Sequence, residues 1–129
     1  MHITFITAAF TGLLYALLGL QVGRMRGVTK TSLGMGDDPR LMKAVRAHAN
    51  LTEWAPITLI VLGASESLGA GYLEMMILGV GFFAARVLHA WGLLTETDKP
   101  NALRSLGAMG TAVILLWASV HTLILAYSL

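Results

Sequence analysis

The chain has 129 residues, of which 56% are hydrophobic and 12% charged, and its mean hydropathy is +0.71. Soluble domains carry about a quarter charged residues, so this is the composition of a membrane protein, with length for one domain, 1–129. A formal charge of +2 excludes an electrostatic nucleic-acid binder, and the absence of cysteine excludes disulfides and thiolate metal sites.

The opening "MHITFITAAF" lacks the basic start of a cleavable signal peptide, and its apolar run continues beyond signal length. Residues 3–22 are uncharged and span about 30 Å as a helix, enough for a first membrane crossing. "GVTKTSLGMGDD", polar and glycine-rich, reads as a loop, and Pro39 after it suits a helix start. A second span is expected over about 41–65, with a polar cluster in its first half. "ESLGAGYLE" predicts a tight turn at Gly69 and Gly71. A third span over about 75–94 contains one charge, Arg86, and "TETDKPN" forms the next loop. A fourth uncharged run covers about 105–127. The expected fold is all-α, an integral membrane four-helix bundle joined by short loops.

Eight of the nine basic residues, Arg24, Arg26, Lys30, Arg40, Lys43, Arg46, Lys99 and Arg104, gather at the first and third loops. Positive charge marks the cytoplasmic side, so both termini are expected on the non-cytoplasmic side. The ninth, Arg86, lies inside a span, where a guanidinium needs a partner.

The segment "VRAHANLTEWAP" carries the polar cluster. At 100° per residue, Arg46, Asn50 and Glu53 fall at about 0°, 40° and −20° on one helical stripe, with His48 roughly opposite. The stripe descends about 10 Å from the basic surface to Glu53, and Arg86 lies about 12 Å below the same surface. Glu53 is thus expected within reach of Arg86. Such a pair can simply lock two helices, with Asn50 as interhelical glue. The alternative is a ligand site, because a cation, an amide and a carboxylate together suit a small zwitterionic acid.

Arg46-x-x-x-Asn50-x-x-Glu53 on the second of four spans, with proline soon after, resembles the signature of the MAPEG family, the membrane-associated proteins in eicosanoid and glutathione metabolism. "RVLHAWG" resembles the family's third-helix motif, and the likeness extends over nearly the whole chain in length, span count and orientation. The resemblance implies a microsomal glutathione transferase-like protein, a homotrimer in a bacterial inner membrane, that binds glutathione between subunits near the cytoplasmic face. It assigns Arg46, Asn50, Glu53, Trp54, Arg86 and His89 to glutathione binding. Arg104 takes the role of the arginine that stabilises the glutathione thiolate for attack on a lipophilic electrophile.

Trp54, His89 and Leu93 stand where family members often have tyrosine. An indole only donates a hydrogen bond and a leucine makes none. Two readings therefore stand side by side: a glutathione transferase or peroxidase, and a non-catalytic membrane protein of the same fold that binds a lipid or regulates a partner. His2 and His121 lie near the outer ends of their spans without further ligands, so no metal site is expected. Glycines recur at 12, 19, 23, 79, 81 and 92, and those such as Gly19 and Gly23 are read as allowing close helix approach.

Overall fold

The computed structural model describes residues 1–97, 99 and 101–128. Asp98 and Pro100, which belong to the expected third loop, and the terminal Leu129 lie outside the described residues. The described chain is all-helical, with α1 (His2–Thr29), α2 (Pro39–Ser67), α3 (Tyr72–Thr95) and α4 (Ala102–Tyr127). Helices α1, α3 and α4 are long and apolar enough to cross a membrane. Helix α2 equals them in length, but its first half carries Lys43, Arg46, Asn50 and Glu53.

The helix ends follow local chemistry rather than the limits of the apolar runs. The first helix continues through Arg24 and Arg26 to Thr29, beyond the uncharged run, because charge ends a hydrocarbon crossing without breaking a helix. It stops where Lys30 turns left-handed, at φ 54°, with its N–H bonded to the Arg26 carbonyl. Asp38 caps α2 by accepting the Arg40 N–H at 2.8 Å, and Pro39 occupies the first turn, where a missing N–H costs nothing. The Arg40 guanidinium and N–H hold the Asp38 carboxyl down to about 2. Between α2 and α3 the chain reverses through Gly69, whose φ of +94° suits glycine. Asn101 caps α4 by accepting the Arg104 N–H at 3.0 Å.

Helices α2 and α3 pack against each other, and α1 and α4 each pack on both; among the described residues α1 and α4 do not touch. Two contacts identify the ends of the bundle. The Glu66 carboxylate, at the end of α2, accepts the Ile3 and Thr4 N–H groups at 3.0 and 2.8 Å, capping α1 from a neighbouring helix. At the other end the Lys43 ammonium of α2 donates to the Glu96 carbonyl just past α3. The first and third connections therefore share one end of the molecule, which is the basic end.

Leu51, Leu62, Met75 and Phe82 lie in the core. The outer face of α4 remains bare, with Val113, Leu116, Trp117, Val120, Leu123 and Ile124 each more than half exposed. A water-facing surface does not tolerate so long an apolar face, whereas lipid covers it without cost. His48 meets α1, its ring centroid 4.4 Å from that of Tyr15. His121 Nδ1 lies 2.7 Å from the Glu74 carboxylate, which also accepts the Trp117 indole N–H at 2.8 Å.

Helices α3 and α4 meet almost backbone to backbone. A Cβ at Gly107 would lie 2.5 Å from both the Ala85 carbonyl oxygen and the His89 nitrogen, and one at Gly92 would run into the Arg104 backbone. Small residues allow such approach where the hydrophobic effect does not drive helices together. Gly19, by contrast, leaves ordinary contact distance to His48, and Gly23 faces open space. Gly107→Ala should therefore cost about 1–3 kcal/mol by forcing the two backbones apart, while Gly23→Ala should leave stability unchanged or slightly raised. Thermal unfolding of both variants in one detergent checks this, and equal midpoints would contradict the close approach.

Candidate functional site

The site is assembled at the basic end from α2, α3 and the start of α4. A cleft of about 420 Å³ opens there, lined by Pro39, Met42, Lys43 and Arg46 of α2, Leu93 of α3, Glu96 and Thr97 beyond it, and Arg104 of α4. Three cations and one carboxylate line it among the described residues. Such a cleft attracts anions, and Met42 and Leu93 add apolar surface to its lining.

The α2 stripe is divided rather than shared. Arg46 and Glu53, two turns apart, face outward with about half of each side chain exposed, and pair with each other at 3.8 Å. Asn50 lies between them and turns inward, its side-chain oxygen accepting a hydrogen bond from Arg86 Nη1 at 2.9 Å. The expected meeting of Glu53 with Arg86 does not occur. The angular spread along the stripe is enough to leave Glu53 on the outer surface while Asn50 reaches α3. Arg86 is 2% exposed, and its Nε has no partner among the described residues. A charge so placed is costly unless further groups answer it.

His89, one turn after Arg86, is also buried, and its Nδ1 lies 2.9 Å from the Arg104 carbonyl. A carbonyl only accepts, so Nδ1 carries the proton and the imidazole ties α3 to the first turn of α4. His89 thereby positions the backbone of Arg104. Arg104 Nη1 lies 2.8 Å from each carboxylate oxygen of Glu96. Trp54 is half-buried on α2, and neither it nor Glu53 lines the cleft of this subunit. Arg46 and Arg104 do line it, and the bonded pair of Asn50 and Arg86 lies deeper in the same end.

Lys43 and Glu96 were not legible as a joint feature. Lys43 reads as a basic residue marking orientation and as a cation beside the α2 stripe, and Glu96 as one of the loop's polar letters. The available signal was the carboxylate eight residues before Arg104 in a connection too short to carry it elsewhere. No group of three or more potential metal ligands occurs among the described residues.

The division of the stripe has a measurable consequence. Asn50→Ala should destabilise the protein by about 1.5–3 kcal/mol, as expected for loss of a hydrogen bond to a buried charge. Combining Asn50→Leu with Arg86→Met should recover most of that loss. Glu53→Gln, on an exposed pair, should change stability by less than about 0.5 kcal/mol. Unfolding midpoints in detergent measure all three, and a large loss on Glu53→Gln would contradict the observed pairing.

Two proteins of related sequence carry the same printed name, Inner membrane protein YecN, one from Escherichia coli K12 and one from Escherichia coli O6:H1. Each is 29% identical to this chain over 85 residues, a match that covers 66% of this chain and 65% of the relative's own length. The profile of the MAPEG family matches residues 4–124. That match takes in all four helices, the α2 stripe, the buried Arg86 and the cleft at the basic end, and on this ground the chain is a membrane protein of the MAPEG family.

Proposed function

We propose that the chain binds glutathione at the basic end of the bundle and activates its thiol for attack on lipophilic electrophiles drawn from the bilayer, as a transferase or peroxidase. The observation that carries this reading is the cleft that gathers Lys43, Arg46 and Arg104. The donor set suits the ligand. Guanidinium and ammonium groups answer its two carboxylates, and the Nε of buried Arg86, without a partner among the described residues, offers a further donor. Glutathione supplies the thiol that the chain itself lacks. A guanidinium beside that thiol lowers its pKa, and the thiolate is the nucleophile. Arg104 is the residue assigned this task.

The same reading places the site between subunits of a homotrimer. Arg46 and Glu53 are half exposed on an isolated subunit, and charges at that position along a spanning helix need cover from a neighbour. Trp54 and Glu53, which face away from this subunit's cleft, then serve the site of the adjoining one. The named relatives support a bacterial inner membrane location. The grouping of eight basic residues at one end supports a cytoplasmic cleft with both termini on the opposite side.

A second reading, a non-catalytic member that binds a lipid or regulates a partner, is favoured by Leu93. This residue lines the cleft where a tyrosine would offer a hydroxyl, and it makes no hydrogen bond.

Calorimetry with glutathione, the ultraviolet absorbance of bound thiolate and conjugation of a reactive aryl halide test the proposal on protein purified in mild detergent. Binding with a thiolate band at neutral pH is expected, and Arg104→Ala should lower turnover about ten- to a thousandfold with little change in binding. Binding without thiolate or conjugation favours the second reading, and no binding rejects the first. For the topology, a cysteine at Thr31 should be labelled from the cytoplasm alone and one at Gly71 from outside alone.

A further inference from the structure

Arg104 does not line the cleft as a lone cation. Both Glu96 oxygens lie 2.8 Å from its Nη1, and the Glu96 side chain is only 17% exposed. The connection that carries the carboxylate is itself held in place. Lys43 of α2 donates to the Glu96 carbonyl. The Asn101 amide bonds the Gly92 carbonyl at 3.0 Å and the Thr95 hydroxyl at 3.3 Å, while its oxygen caps Arg104. The Arg104 backbone is fixed from α3 by His89. One guanidinium nitrogen serves both oxygens, and the remaining N–H groups of Arg104 have no side-chain partner among the described residues.

The charged and titratable groups facing this point are Lys43 and Arg46 from α2, His89 from α3, and Glu96 in the connection to α4; Arg46 is already paired with Glu53. Among the described residues Glu96 is the acid that lines the cleft.

We infer that Glu96 is a positioning residue that sets how strongly Arg104 acidifies a thiol held in the cleft, an inference that rests on the glutathione reading above. A thiolate beside Arg104 is attracted by the guanidinium and repelled by the carboxylate bonded to it, so the two side chains oppose each other on the same sulfur. The proton released on ionisation passes to water. The balance has a chemical use, because nucleophilicity falls as thiol pKa falls, and a thiol that ionises near ambient pH attacks best. An unopposed arginine would yield more thiolate of lower reactivity. The same ion pair fixes the long Arg104 side chain before ligand arrives, so less rotamer freedom is lost on binding.

The test is a pH titration of thiolate absorbance with glutathione bound to the full-length protein, with binding followed by calorimetry. Glu96→Gln should move the midpoint about one pH unit lower, as removal of a nearby like charge does, and Glu96→Asp should titrate near wild type. Thr97→Glu adds a carboxylate at an exposed position of the same rim and should move the midpoint upward without removing a contact. A Glu96→Gln midpoint equal to or above wild type overturns the inference. Should that variant fail to fold, an unmoved Thr97→Glu midpoint overturns it instead. Failure of the wild type to bind glutathione rejects the functional reading and the inference together, whereas binding with unmoved midpoints rejects the inference alone.

Discussion

The close approach of α3 and α4 is the constraint on which the basic end of the molecule depends. Gly92 and Gly107 let the two backbones meet at distances that any side chain would prevent. Because they meet there, the Arg104 carbonyl comes within hydrogen-bond distance of the His89 ring, and its guanidinium within reach of Glu96. Only Gly107, Thr111 and Ala118 of α4 are buried, so the helix is held by a narrow seam of small residues. Its broad apolar face is left to lipid. In water this would be an unstable arrangement; in a bilayer, van der Waals contact along a small-residue seam is the ordinary means of helix association.

A second constraint concerns charge. Arg86 is buried among apolar helices, and the partner it finds in the subunit is an amide rather than a carboxylate. An amide oxygen satisfies one donor without cancelling the charge. The end of the bundle that holds Arg86 therefore stays electropositive, and Lys43, Arg46 and Arg104 add to that potential at the cleft. Glu53, which would have neutralised Arg86, instead pairs with Arg46 on the outer surface of the subunit. The opposite end is built differently. There Glu66 caps the first turn of α1, and Glu74 accepts the Trp117 indole N–H and lies beside His121. At that end the Glu66 carboxylate also pairs with the N-terminal ammonium at 3.4 Å.

Much of the fold was legible in the sequence because a bilayer imposes a simple rule. A run of uncharged residues long enough to cross must be helical, since no water is present to satisfy its backbone. That rule located α1, α3 and α4, and the glycines of "ESLGAGYLE" located the turn at Gly69. It missed the ends, since α1 continues past Arg24 and Arg26 to a left-handed Lys30, and helix termination depends on caps and turns rather than hydropathy. Helix α2, by contrast, was placed within two residues at each end, because Pro39 and the glycine turn mark its limits where apolarity does not. At the site, periodicity correctly placed Arg46 and Glu53 on one face. Asn50, which one reading takes as interhelical glue, does bond the neighbouring helix, but periodicity could not tell that Arg86 would be its partner in place of Glu53.

The sequence by itself determined the element types, the basic end, the polar residues of α2 and the membership that its motifs suggest, because these follow from composition, charge order and 3.6-residue periodicity. Only the tertiary structure decided the partners. Whether Arg86 meets Glu53 or Asn50, whether Arg104 stands alone or against Glu96, and whether His89 reaches the Arg104 backbone all depend on helix rotation and separation. Those quantities are fixed by side chains on other helices, above all by where a glycine lets two backbones touch, and spacing along one helix carries no information about them.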